Sequence, residues 1–196
     1  MKKYKINEIF YSIQGEGRWA GRAAVFVRFS GCNLKCPFCD TDFKSYKEYG
    51  ELDILEAIQK ASSSCRFVVF TGGEPTLQVD EALIALLHKW GYYLAMETNG
   101  THRLPDGLDW VTCSPKTAFV KNGETILTAA SEVKVVFDGE HQISDFGIDA
   151  GEYYVQPCDV QDEKRNAEIL KATVDFVKKH PGWQFSLQQQ KIINVR

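Results

Sequence analysis

Short apolar runs alternate along this chain with stretches whose apolar residues recur at helical spacing. Residues 24–30, Ala-Val-Phe-Val-Arg-Phe-Ser, read as a buried strand. Leu52, Leu55, Ala57 and Ile58 put an apolar face on a helix over 52–62. A second strand follows over 66–71. A helix over 80–90 turns Leu83, Ile84, Leu86 and Leu87 inward, with Asp80 as its N-cap. Further strands are predicted over 92–97, 110–114, 132–137 and 153–156, then a helix over 164–179 and a last strand over 185–189. Residues 138–152 show no helical period, so one crossover is expected to shrink to a loop.

Alternating β and α segments of this length imply an α/β fold with a parallel sheet and right-handed crossovers. Six or seven strands are too few for a closed eight-fold barrel. The economical architecture is a partial, open β/α barrel of about six parallel strands, with some crossovers reduced. It is expected to form one domain over residues 1–196. Such a fold places its site at the C-terminal ends of the strands.

The chain has 196 residues, 44% hydrophobic and 25% charged, with a net charge of −3. That balance excludes extended disorder and offers no basic surplus to a nucleic-acid backbone. No apolar run reaches the roughly 18–20 residues of a membrane helix. The first residues carry lysines but no apolar stretch behind them, so they do not read as a signal peptide. The expectation is a cytoplasmic protein with neither a membrane nor a nucleic-acid partner. In that compartment six cysteines point to metal binding or catalysis rather than to a disulfide framework.

Three of them, Cys32, Cys36 and Cys39, follow the first strand in a C-x-x-x-C-x-x-C loop. A structural zinc site wants four protein ligands, and the next candidates, Cys65, His88 and His102, are remote in sequence. A cubane iron–sulfur cluster held by three thiolates would keep one iron open to another ligand. A loose zinc site and a chance cluster of cysteines are the competing readings. The second strand ends in Thr71-Gly-Gly-Glu-Pro75, where two glycines permit close backbone approach to a ligand. The third ends in Glu97-Thr-Asn-Gly100. Ser114-Pro115-Lys116 and Gln156-Pro157-Cys158-Asp159 end two later strands, polar residues fixed by a proline at the same rim. Cys65 and Cys113 lie in or beside apolar segments and read as small core hydrophobes.

The cysteine loop resembles that of the radical S-adenosylmethionine (SAM) superfamily, down to an aromatic, Phe38, just before the third cysteine. The resemblance implies a [4Fe-4S] cluster on Cys32, Cys36 and Cys39, with SAM on the open iron. It further implies Phe38 against the adenine, Gly73 at the amino-acid moiety and Glu97 at the ribose. Reductive cleavage of SAM in that superfamily yields a 5′-deoxyadenosyl radical. The cofactor carries the hard chemistry and the protein orients it.

Gln14-Gly15-Glu16-Gly17 is not a dinucleotide fingerprint, because no strand–turn–helix surrounds it. Together with Arg28, Cys39-Asp40-Thr41, Ser114-Pro115-Lys116 and Gln156 to Asp159, it resembles the 7-carboxy-7-deazaguanine synthase family. The likeness runs from about Ile6 to the last residue. It implies ring contraction of 6-carboxy-5,6,7,8-tetrahydropterin to 7-carboxy-7-deazaguanine, with loss of ammonia, in queuosine and deazapurine biosynthesis. It also implies a Mg2+ ion contacted by Thr41, a hard cation suited to a hydroxyl oxygen. Ile13, Gln14, Gly15, Arg28 and Thr71 match substrate contacts, and Arg28 would take the substrate carboxylate. Arg196 would supply a terminal carboxylate that reaches the substrate. Gly73, Ser114, Pro115, Lys116, Gln156, Pro157, Cys158 and Asp159 match SAM contacts. The implied partners are an electron donor such as flavodoxin or ferredoxin and a second copy in a homodimer. One departure stands out: Gln190 occupies the place of a family histidine.

Two other classes compete. A glycyl-radical activating enzyme would share the cysteine loop but has no use for Gln14-Gly15-Glu16-Gly17 with Arg28. A zinc or nucleic-acid-binding module needs a fourth ligand and a basic, aromatic face, and the sequence shows neither.

Overall fold

A computed structural model describes residues 2–42 and 44–196. Among the described residues, nine strands form one sheet: β1 (Tyr4–Ile13), β2 (Ala23–Phe29), β3 (Lys47–Tyr49), β4 (Phe67–Gly72), β5 (Tyr93–Thr98), β6 (Trp110–Cys113), β7 (Ala129–Phe137), β8 (Asp149–Pro157) and β9 (Gln184–Phe185). Their order across the sheet is β3-β1-β2-β4-β5-β6-β7-β8-β9. From β2 through β9 every neighbouring pair is parallel, whereas β1 pairs antiparallel with both β2 and β3. β3 and β9 remain at opposite edges, so the barrel is open, as the segment count implies.

β1 and β3 extend the predicted sheet. The β1 segment mixes buried and half-exposed positions, so it carries no continuous apolar run for pattern reading to find. β9 is shorter than expected, two residues rather than five, and Gln189–Ile192 form a helical turn, α4. The other helices are α1 (Glu51–Ala61), α2 (Glu81–Lys89) and α3 (Glu163–Lys179). The crossovers β5–β6, β6–β7 and β7–β8 contain no helix among the described residues. Over the last of these, Ile143, Phe146 and Ile148 cover Val133 and Val135, filling the place a helix would take.

Alternation along the strands divides the molecule into two faces. Val25, Val27 and Phe29, with Val68, Phe70, Leu94 and Met96, point outward. There they bury against Ile54 and Ile58 of α1 and Leu83 and Leu87 of α2. Each such side chain contributes about 1.5–3 kcal/mol. Leu52, expected on the inner face of α1, is 67% exposed, and Ile54 packs instead, on one stripe with Leu55 and Ile58. Asp80 does cap α2: its carboxylate accepts from the Leu83 N–H at 3.1 Å and also from the Tyr4 hydroxyl at 2.8 Å.

The concave face changes character along the strands. At its base Phe10, Phe26, Phe67, Val69 and Ala95 pack with Trp19, Tyr93 and Trp110 as an apolar plug. One or two pleats further on, the inward positions turn polar: Arg28, Thr71, Glu97, Thr112, Lys134 and Gln156. The plug closes one end of the open barrel and leaves a polar basin at the other. None of the helices among the described residues is long and apolar enough to cross a membrane.

Candidate active site

The basin is a cavity of about 1110 Å³ at the C-terminal ends of the parallel strands. The loop after β2 brings Cys32, Cys36 and Cys39 to its wall with all three thiols free. Buried Leu34 pins the loop. Asn33 ties it to the end of β5, donating to Thr101 Oγ1 at 2.8 Å and accepting from Asn99 Nδ2 at 3.1 Å. Phe38 meets Phe119 edge-on, ring centroids 4.7 Å apart. Burial, reinforced by neighbouring negative charge, pushes the Cys32 thiol up, and burial does the same to Cys36. Metal binding here must therefore displace protons.

Among the described residues no group of three His, Cys, Asp or Glu side chains is arranged to hold a single metal ion. Three sulfur donors on one loop thus fit a multi-iron cluster, one thiolate to each of three irons, better than a lone zinc.

β4 ends in the tightest backbone contact of the site. Gly72 has φ +120°, and a Cβ on Gly73 would lie 1.9 Å from the Gly31 carbonyl oxygen. The Gly73 N–H donates to Phe29 O at 3.0 Å and the Glu74 N–H to Gly31 O at 2.9 Å, stapling β4 to the root of the cysteine loop. Glu74, 1% exposed, accepts from Thr98 Oγ1 and the Asn99 N–H, both at 2.8 Å, and from the Thr76 N–H at 3.0 Å. The Gly-Gly-Glu run thus fastens the ends of β2, β4 and β5 together.

Further round the rim, Ser114, Lys116, Gln156, Pro157, Cys158 and Asp159 line the basin; Pro115 does not. The Lys116 ammonium donates to the Ser114 carbonyl and hydroxyl, both at 2.6 Å. Burial pushes the Cys158 thiol up to about 11. Thr41 lines the basin beside Asp40, which the Lys191 ammonium of α4 joins at 2.9 Å.

Ile13, Gln14, Gly15, Arg28, Thr71 and Arg196 come together on the remaining wall. Arg28 donates from Nε to Glu8 at 2.9 Å, and the Arg196 guanidinium pairs with the other Glu8 oxygen at 2.7 Å. Both guanidiniums stand 5.5 Å from the Phe10 ring centroid. The Arg196 carbonyl oxygen accepts from the Ser12 hydroxyl. Glu97, read from sequence at the cofactor ribose, lines the basin and receives Gln14 Nε2 and Thr71 Oγ1, each at 2.9 Å.

The sequence names Glu16 and Gln190 without giving either a role, and Lys134 and Gln188 of the basin are not among its candidates. Glu16 pairs with Lys134 and accepts from Gln190 at 2.9 Å and Gln188 at 3.1 Å. Burial alone would raise the Glu16 carboxyl; the Lys134 ammonium and these hydrogen bonds outweigh it and hold it down to about 2. Burial opposes charge on Lys134 too, yet the carboxylates of Glu16 and Glu97 push it upward. The signal was available in β7, where Glu132 and Lys134 alternate with Val133 and Val135, charges at inward positions of a buried strand.

A parallel open barrel with three free thiols and a glycine staple at its C-terminal rim defines a class. The description "Radical SAM superfamily" matches residues 26–129, more than half of the chain, and the protein belongs to that superfamily. A relative from Bacteroides thetaiotaomicron named 7-carboxy-7-deazaguanine synthase is 47% identical over 193 residues, 98% of each chain. Another of that name, from Bradyrhizobium diazoefficiens, is 40% identical over 98% of this chain and 99% of its own. The crystal structure of QueE from Escherichia coli superposes with a TM-score of 0.75 at 26% identity, covering 94% of this chain and 93% of that one. The chain belongs to the 7-carboxy-7-deazaguanine synthase family.

Proposed function

We infer that the basin converts 6-carboxy-5,6,7,8-tetrahydropterin into 7-carboxy-7-deazaguanine with release of ammonia, a step of queuosine and deazapurine biosynthesis. The observation that carries the reading is the meeting, in one cavity, of the three-thiol loop with the Gln14-Gly15-Glu16 wall and Arg28. When bound, the cluster and SAM supply a carbon radical able to take hydrogen from an unactivated C–H.

This chain's residues do the rest. Cys32, Cys36 and Cys39 hold the cluster. Phe38, Gly73, Glu97, Ser114, Lys116 and the 156–159 segment, with Pro115 behind them, orient SAM. Thr41 offers an oxygen to Mg2+. Arg28 takes the substrate carboxylate, its planar fork aligned by Glu8. Ile13, Gln14, Gly15, Thr71 and Arg196 line the substrate, and the apolar plug below keeps bulk water from the basin floor.

An electron donor such as flavodoxin or ferredoxin reaches the cluster through the loop, where Cys39 is exposed. Two copies associate as a homodimer, a reading supported by the exposed apolar side chains Tyr11, Ile192, Ile193 and Val195. The whole chain acts as one domain.

The experiment is anaerobic incubation of the reconstituted protein with SAM, Mg2+, reductant and the carboxytetrahydropterin. Mass spectrometry should find the deazapurine with loss of ammonia. Substrate returned intact, beside an intact cluster and bound SAM, would overturn the assignment. Light scattering checks the dimer.

A further inference from the structure

The cluster loop is anchored unevenly. Its first half is tied down by buried Leu34 and by the bonds of Asn33 to Asn99 and Thr101. Its middle rests on Phe119 through Phe38. The exit differs. Among the described residues, the hydrogen bonds of Cys39, Thr41 and Asp42 stay within residues 36–44: Cys39 N–H to Cys36 O at 3.2 Å, the Cys39 thiol to the Thr41 carbonyl at 3.9 Å, the Thr41 hydroxyl to Asp40 at 3.5 Å and the Lys44 N–H to Asp42 at 3.1 Å. The ion pair of Asp40 with the Lys191 ammonium, at 2.9 Å, is what leaves this stretch.

The second carboxylate on Lys191 belongs to a fixed post. Asp159 follows β8, and its Oδ1 accepts the Gln161 N–H at 3.0 Å and Nδ2 of Asn166, from α3, at 2.9 Å. Its Oδ2 faces the Lys191 ammonium at 3.3 Å. The turn that presents the ammonium is tied as well. Gln188 and Gln190 donate to Glu16, and the Gln189 N–H donates to the Gly15 carbonyl at 3.2 Å. One side chain from a third part of the sequence thus joins the loop exit to the 156–159 segment, and it holds together two carboxylates that would otherwise repel.

Lys191, Asp40 and Asp159 are all exposed, so these pairs add little to global stability: water screens them and two long side chains lose freedom. Placement of a loop end is a different quantity. A segment with few other contacts opens locally at low cost, so a single tether decides its position. Asp40 lies between Cys39 and Thr41, which in the reading above give the third thiolate and an oxygen for Mg2+. Asp159 ends the segment that orients SAM. Drift of the exit would spoil the alignment of the two sides of the basin.

We propose that Lys191 is a positioning residue: by pairing at once with Asp159 and Asp40, it sets the exit of the cluster loop, and with it Cys39 and Thr41, against the SAM segment. This rests on the function inferred above and adds to it a residue that acts through two carboxylates.

The test uses the anaerobic, cluster-loaded protein. Lys191→Met should raise hydrogen exchange across residues 39–42 about tenfold and leave residues 32–35 within about twofold of wild type. The SAM dissociation constant should rise about fivefold or more. The melting temperature should stay within about 2 °C, with iron content unchanged. Asp40→Asn should do the same, and the double variant should be no worse than either single one. Lys191→Arg should recover part of the loss. Should Lys191→Met fail to fold or to take up iron, Asp40→Asn reads the same pair by itself. Unchanged exchange across residues 39–42 in both variants, a rise spread evenly over the chain, or effects that add in the double variant would overturn the proposal. A wild type that makes no deazapurine overturns the underlying function instead; exchange is read without turnover, so the two failures are distinct.

Discussion

Gly73 and Gly31 meet so closely that one added methyl on Gly73 would stand 1.9 Å from the Gly31 carbonyl oxygen. Cys32 follows Gly31 directly, so this contact sets where the cluster loop begins. Gly73→Ala should separate the two segments. The expected cost is about 2–3 kcal/mol in chemical denaturation, with loss of SAM binding by equilibrium dialysis. A variant with wild-type stability and SAM affinity would show that the contact relaxes without consequence.

Glu74 touches no wall of the basin, yet it joins β4 to β5 through Thr98 and Asn99. Glu74→Ala strands a buried hydroxyl and an N–H. Each unsatisfied group costs about 1–3 kcal/mol, so the melting temperature should drop by several degrees or more. Asn99 also holds Asn33, so hydrogen exchange in the cysteine loop should rise as well.

Cys36→Ala should remove the brown colour of the anaerobically prepared protein together with turnover. Cys113→Ala, by contrast, alters a thiol buried on the outer face. It should keep the colour and lose only the roughly 1 kcal/mol of a small cavity. Optical absorbance and iron content separate the two.

The Glu16–Lys134 pair predicts an acid-sensitive contribution to stability. The Glu16 carboxyl ordinarily titrates near 4.5 and is held at about 2 in the fold. Its stabilisation is complete above about 4.5 and is lost as pH falls toward 2. Lys134 stays protonated throughout that window. The difference in urea midpoint between wild type and Glu16→Gln should therefore be largest near neutrality and vanish toward pH 2. A difference independent of pH would mean that packing, not charge, is what the variant disturbs.

Much of the architecture was legible because outward-facing apolar residues and strand-length runs coincide. β4 and β5 each present Val, Phe, Leu or Met to the helices, and Asp80 caps α2 where its residue type suggests. β1 was not legible as a strand. A β-bulge between Ile6 and Glu8 swaps its facing, so that Tyr4 and Ile6 meet the helical layer while Glu8 and Phe10, at the same parity, meet the basin, and no single period runs the length of the strand. The site was legible where chemistry is concentrated in a short segment, as in the cysteine loop. It was not where partners are contributed by distant segments. Glu16 and Lys134 are 118 positions apart, and although the alternation in β7 marks Lys134, nothing local names its partner. Glu97 shows the converse: its position at a strand end was clear, but its partners depend on β1, which pattern reading did not provide.

The β7 stretch of Glu132, Val133, Lys134 and Val135 also works as a folding key. Sliding that strand by a single residue against β6 or β8 would thrust an ammonium and a carboxylate into the greasy layer behind the sheet and hang two valines over the cavity. Misaligned assemblies are thereby penalised by the same groups that the correct alignment puts to use, so this strand checks its own placement before any ligand arrives.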